Sequence, residues 1–259
     1  MAYEAYNAFQ SVNSGTPREL FREGLQQLVD SQFESAPNYL VVKKLNNTTG
    51  LFEDIGVRLV QAFEVDGKDM VSSDDTVTIE FQDMEQSDIY VGDMYEFKGY
   101  RWLSVESKTV ATLCKSCMVK RCNGLLNFVE STPLTNYIGA TPLVGHIISI
   151  DALLSVKIKN PDTNQYIILP QGEMVARIPY NANSKKIKYA AGKGTRFLIG
   201  DPVQAWQCIN VDSVSGVRLA ADTTVEDSGI VELRLKLVGI DNVRDNLVDK
   251  VAWQEYFIR

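Results

Sequence analysis

The residues in this chain best suited to chemistry are its cysteines. Cys114, Cys117 and Cys122 crowd into a short stretch, with Cys208 far downstream. A Cys-x-x-Cys pair followed by a third cysteine offers soft ligands for tetrahedral zinc, and Cys208 could complete the set. The second Cys-x-x-Cys or Cys/His pair of such sites is missing, and strand alternation sends Cys117 and Cys122 to opposite faces. The sequence therefore predicts buried free thiols, and no metal ligand is assigned. A redox role is not expected either, because the pair lacks the helix start that lowers a thiol pKa.

The chain has one histidine, His146. Two-histidine zinc sites and HExxH helices are thereby excluded, and any Ser-His-Asp mechanism would have to run through His146 alone. It follows Gly145 in an apolar stretch and reads as a structural strand residue. Gly192-Lys-Gly-Thr195 has the look of a phosphate loop but lacks the Walker spacing and leads into a strand. Carboxylates are plentiful, yet no spacing singles out a pair that could hydrolyse a sugar bond. No catalytic residue and no cofactor are expected. Lys185, Lys186, Lys188, Lys193 and Arg196 form the one basic cluster, interrupted by Tyr189. It could touch DNA phosphates or an acidic partner, or be a solvated hairpin tip without a function, and both readings stand.

The elements that must carry these residues are mostly strands. One helix precedes them. Thr16-Pro-Arg-Glu19 forms a capping box with Pro17 at the first helical position. Leu20, Phe21, Leu25, Leu28, Val29 and Phe33 then recur at helical spacing, and Ser35-Ala36-Pro37 stops the helix. Its apolar face, Leu20, Phe21, Leu25, Leu28 and Phe33, is the candidate partner interface, and the aromatic stretch Tyr3, Tyr6, Phe9 and Val12 ahead of it reads as a short helix or arm. From Tyr39 the pattern turns to short runs of β-branched and aromatic residues: Tyr39–Val42, Val57–Phe63, Val77–Phe81, Trp102–Val105, Thr109–Val119 and Leu125–Val129. Asn46-Asn47, Asp66-Gly67, Ser72-Ser73-Asp74-Asp75, Gly92-Asp93 and Lys98-Gly99 punctuate them as turns. After Ser131-Thr132-Pro133 the style repeats from His146–Ile150 to Ile230–Val238.

The expected fold is mainly β: an N-terminal amphipathic helix followed by two small β-barrel or β-sandwich domains. The divisions are 1–37 for arm and helix, 38–131 for the first β domain and 132–259 for the second with a C-terminal arm. The halves rhyme weakly, Phe97, Gly99 and Trp102 against Phe197, Gly200 and Trp206, which suggests a duplication.

With 259 residues, 45% of them hydrophobic and 23% charged, the chain has a globular composition, not a disordered one. Its 26 basic and 33 acidic side chains give a net charge of −7, which argues against a general nucleic-acid coat. The charge is uneven: residues 1–130 hold 12 basic and 20 acidic side chains, and residues 131–259 hold 14 and 13. Such halves suit two unlike partners, or simply solubility. MAYEAYNAFQ is no secretory signal, no apolar run is long enough to span a membrane, and the cysteine spacing is unlike a disulfide framework. The expected setting is reducing cytoplasm.

A resemblance runs along nearly the whole chain. The Thr16-Pro-Arg-Glu19 opening after an aromatic arm, Gly92-Asp93 with Trp102-Leu103, and Met118-Val-Lys-Arg-Cys-Asn123 with Leu125-Leu-Asn-Phe128 form its first part. Arg196-Phe-Leu-Ile-Gly200, Gln204-Ala-Trp-Gln207, Val211-Asp212, Gly229-Ile-Val-Glu-Leu233, Asp245-Asn-Leu247 and Val251-Ala-Trp253 continue it. Together they resemble tailed-bacteriophage structural proteins of the head–tail connector (neck, head-closure) type, with Trp253 standing where a small or acidic residue is expected. The resemblance implies small β-barrels assembled as a ring around the DNA channel, in a virion built in the host cytoplasm. The implied partners are further copies of the chain, a portal or adaptor protein, a tail protein and passing DNA, with no membrane. The acidic half would line the channel. Two other classes compete: a tail or baseplate β-domain binding a neighbouring tail protein or host glycan through Trp102, Trp206 or Trp253, and a tail-associated glycosidase or peptidase. The structural role is preferred over both.

Overall fold

The computed structural model describes residues 24, 27, 30–46, 50–66, 69–82, 89–110, 114–129, 146–159, 166–189, 194–212 and 229–254. The chain is mainly β. Its strands are β1 (Tyr39–Leu45), β2 (Phe52–Asp66), β3 (Asp69–Phe81), β4 (Met94–Phe97), β5 (Tyr100–Val110), β6 (Cys114–Arg121) and β7 (Gly124–Val129), then β8 (Ile147–Ser155), β9 (Lys157–Lys159), β10 (Tyr166–Ile168), β11 (Glu173–Pro179), β12 (Arg196–Ile199), β13 (Gln204–Asp212) and β14 (Ile230–Val238). The first six close into a barrel in the order β1-β2-β3-β6-β5-β4. A second sheet runs β12-β13-β14-β11-β8-β7, and β9 and β10 form a separate hairpin.

Contacts divide the chain into two compact units, Met1–Val42 with Asp54–Ile89 and Glu106–Met118, and Lys43–Glu53 with Tyr90–Val105 and Val119–Arg259. In the first, residues 30–33 are helical and the chain then turns, with the Ala36 N–H donating to the Phe33 carbonyl. Phe33 is buried, edge-on to Tyr39 and under the Arg58 guanidinium. Val42, Val57, Ile79 and Phe81 are buried with it in this unit.

In the second unit the core follows strand alternation closely. On β14, Val231, Leu233 and Leu235 are buried, while Glu232, Arg234 and Lys236 face outward. They pack with Leu126 and Phe128 of β7, Ile148 and Ile150 of β8, and Phe197 and Trp206 of β12 and β13. The end strands of this sheet approach each other, with the Phe128 and Phe197 rings edge to face at 6.0 Å. The weak rhyme between the halves falls on two hairpins, β4–β5 and β12–β13. In one, Phe97 stacks on Trp102 at 4.5 Å, and in the other Phe197 stands opposite Trp206.

Several elements differ from the sequence reading. Ser72-Ser73-Asp74-Asp75 is not a turn but part of β3. The β2–β3 ladder runs from Asp66↔Asp69 to Phe63↔Ser72, shifts register across residues 73–76, and resumes at Gln61↔Val77, so the polar run is an irregularity within a strand. Thr109–Val119 is not one strand, because β5 ends at Val110 and β6 begins at Cys114. The short strand β4 went unrecognised behind the Gly92-Asp93 turn. His146 is exposed and precedes β8 instead of lying within it. The boundary at Ser131-Thr132-Pro133 and the helix residues from Thr16 to Phe21 lie outside the described residues.

Candidate interaction surfaces

The basic cluster sits on a turn with a defined build. After β11, the Asn181 side-chain oxygen accepts from the N–H groups of Asn183 and Ser184, each at 3.0 Å. The Ser184 hydroxyl accepts from the Asn181 N–H at 2.8 Å, leading into the 3-10 turn Ser184–Lys186. Ile187 is buried as an anchor, and Lys188 is tied to Thr195 by two bonds, its N–H to the Thr195 hydroxyl at 2.9 Å and its carbonyl from the Thr195 N–H at 2.8 Å. On this frame Lys185, Lys188 and Tyr189 are exposed and Lys186 is half-buried, with the Lys185 ammonium 5.1 Å from the Tyr180 ring centre. The arrangement places cations on a fixed support, suited to phosphate oxygens or carboxylates. Lys193 lies outside the described residues.

Arg196 does not belong to that surface. It is buried, and its guanidinium donates to both Asp245 carboxylate oxygens, to the Trp253 carbonyl at 3.1 Å and to the Gly239 carbonyl at 2.9 Å. Its main chain is gripped as well: the Gln254 amide accepts from the Arg196 N–H and donates to the Arg196 carbonyl, both at 2.8 Å. Arg196 is a clamp holding residues 239–254 against β12. Nothing in the linear spacing of Asp245, Trp253 and Gln254 announces this.

Of the predicted helix face, Phe33 is spent inside the first unit against Tyr39 and Arg58, so it offers no ring to a partner. Leu20, Phe21, Leu25 and Leu28 lie outside the described residues. Trp102 and Trp206 are buried, the first donating its indole N–H to the Phe97 carbonyl at 3.2 Å.

The thiols divide by environment. Cys117 and Cys208 are fully buried, and Cys122 partly so. Burial pushes the Cys208 thiol up to about 12, and burial with the nearby Asp151 carboxylate does the same for Cys122. Both are poor nucleophiles at neutral pH. Among the described residues, no group of three or more His, Cys, Asp or Glu could hold a metal ion, and no helix is long and apolar enough to cross a membrane.

One further ion pair was not foreseen. Lys44 on β1 meets Asp93 at 3.2 Å, and the Asp93 carboxylate, nearly buried, also accepts from the Tyr90 N–H at 2.9 Å. The neighbouring Gly92 has φ +94°, and a Cβ there would collide with the Gly229 main chain. That contact and the positive φ explain on physical grounds why residue 92 is a glycine.

No protein-family profile, no curated protein and no solved structure matches the chain.

Proposed function

We propose that the chain is a structural virion protein of a tailed phage, part of the head–tail connector (neck, head closure), forming a ring of copies around the DNA channel. The observation that carries this reading is the closure of the first sheet, in which β1 pairs with β4. A closed barrel offers no free sheet edge to a neighbour, so copies of it would meet through side-chain surfaces, which is compatible with a ring of defined size. The sequence resemblance supplies the identity of the assembly. The Lys185–Tyr189 turn fits brief contact with passing DNA, and the acidic residues of the first half keep DNA from sticking. The portal or adaptor on one side and a tail protein on the other complete the set of partners, with no catalysis required.

Native mass of the purified protein, alone and mixed with a portal or adaptor ring from the same particle, tests the proposal. A ring, or a monomer that becomes one on the portal, supports it. A monomer indifferent to the portal overturns it in favour of a tail or baseplate β-domain that binds a neighbouring tail protein or a host glycan. One observation favours that second reading: Tyr100 is 51% exposed, with the Arg121 guanidinium 4.7 Å from its ring centre.

A further inference from the structure

We propose that Asn123-Gly124 is a self-modification site that the fold holds shut: the two residues react with each other once Leu154 releases them. This is the one Asn-Gly pair in the chain, and it stands where β6 has ended at Arg121 and β7 begins at Gly124. In the reaction the Gly124 main-chain nitrogen loses its proton and attacks Asn123 Cγ. The Cγ–Nδ2 bond breaks, Nδ2 leaves as ammonia with that proton, and a cyclic imide remains. Water then opens the imide at either carbonyl, leaving aspartate or isoaspartate at position 123. Asn-Gly is the pair in which this ring closes most readily, because glycine puts no Cβ beside the attacking nitrogen.

The contacts that oppose ring closure all come from β8. Asn123 Nδ2 donates to the Leu154 carbonyl at 3.0 Å, and the Leu154 N–H donates to Asn123 Oδ1 at 2.7 Å. The Asn123 N–H donates to the Ala152 carbonyl at 3.1 Å, and Gly124 stands opposite Ala152 in the β7–β8 ladder. The Leu154 side chain lies over Gly124, so close that a Cβ there would stand 2.3 Å from Leu154 Cδ1. Leu154 therefore fixes the electrophilic amide with its main chain and covers the nucleophile's residue with its side chain. Asn123 itself is exposed, so water reaches it and the pairing is what protects it.

The change runs one way. Ring closure expels Nδ2 and with it the bond to the Leu154 carbonyl. An aspartate at position 123 sets a carboxylate oxygen against that carbonyl, acceptor facing acceptor, and an isoaspartate also inserts a methylene into the main chain. Neither product restores the two bonds, so a local opening at the end of β8 leaves a covalent record.

The test is peptide mapping by mass spectrometry on the full chain after incubation at mildly alkaline pH, folded and in urea. Conversion at Asn123 should be at least tenfold slower in the folded chain than in urea. Equal rates overturn the lock, and an unreactive Asn123 in urea overturns the site. Leu154→Ala keeps the main-chain bonds but uncovers Gly124, which separates this lock from general protection by folding. With circular dichroism matching wild type, it should speed conversion in the folded chain several-fold, and an unchanged rate overturns the covering role of Leu154. Should that variant not fold, Asn123→Asp reads the same contact: its urea midpoint should fall, and an unchanged midpoint overturns the pairing.

Discussion

Arg196 and Asp245, distant in sequence, meet as a two-toothed buried ion pair, with Nη1 to Oδ1 at 3.2 Å and Nη2 to Oδ2 at 3.1 Å. The Asp245 side chain has no exposed surface. Removing one partner would strand the other charge away from water. Arg196→Ala is therefore expected to lower stability by about 3–5 kcal/mol, read as a drop in the urea midpoint. The double change Arg196→Met with Asp245→Leu should cost less than Arg196→Ala, because neither charge is left alone. A double variant as unstable as the single one would contradict the assignment.

Gly92 and Gly99 both take positive φ, +94° and +77°, but only Gly92 is hemmed in by another main chain. Gly99→Ala should cost about 1 kcal/mol, the conformational term alone. Gly92→Ala must also displace Gly229, whose carbonyl accepts from the Tyr180 N–H, so it should cost about 3 kcal/mol or more. Equal melting temperatures for the two variants would refute the close approach.

The buried Cys208 thiol gives stability a dependence on alkaline pH. Its folded pKa, about 12, lies above the ordinary 9.0, so its contribution is present in full below pH 9.0 and is lost as pH climbs toward 12. Urea midpoints should fall over that window, and Cys208→Ala should flatten the fall. At neutral pH, iodoacetamide should modify Cys208 and Cys122 only slowly until the protein is unfolded.

The lysine turn has a salt-dependent signature. If Lys185, Lys186 and Lys188 meet phosphates, changing all three to Gln should weaken retention of the protein on DNA. The slope of log affinity against log salt should fall by about 2–3 in magnitude. An unaltered slope would leave the turn as solvated surface.

Much of the strand content was legible because burial imposes a two-residue period, as β14 shows, where Val231, Leu233 and Leu235 are buried and the residues between them, Glu232 and Arg234, are charged. Ser72–Asp75 reads as a turn because its polar residues fall where the β2–β3 register shifts, between Phe63↔Ser72 and Gln61↔Val77, an irregularity inside a strand that composition does not separate from a turn. Arg196 misled for a related reason. Its position out of phase with Phe197 and Ile199 places it on the outer face of β12, and linear proximity then assigned it to the lysines. The face is covered by residues 239–254, a contact set by topology that no local spacing encodes.

The pairing of Lys43 with Glu96 and of Lys44 with Tyr95 also bears on how the chain survives its own synthesis. Until Met94–Phe97 has emerged and docked, that flank of β1 has no neighbour, and an unpaired edge can template aggregation. Lysines are residues that native sheets use to blunt such an edge, so Lys43 and Lys44 are expected to disfavour a wrong strand in that interval. When β4 arrives, Lys44 turns from guard to anchor as Asp93, the residue just ahead of β4, takes its charge into an ion pair at 3.2 Å. One side chain would thus serve two stages, first as an edge charge and then as half of an ion pair in the folded barrel.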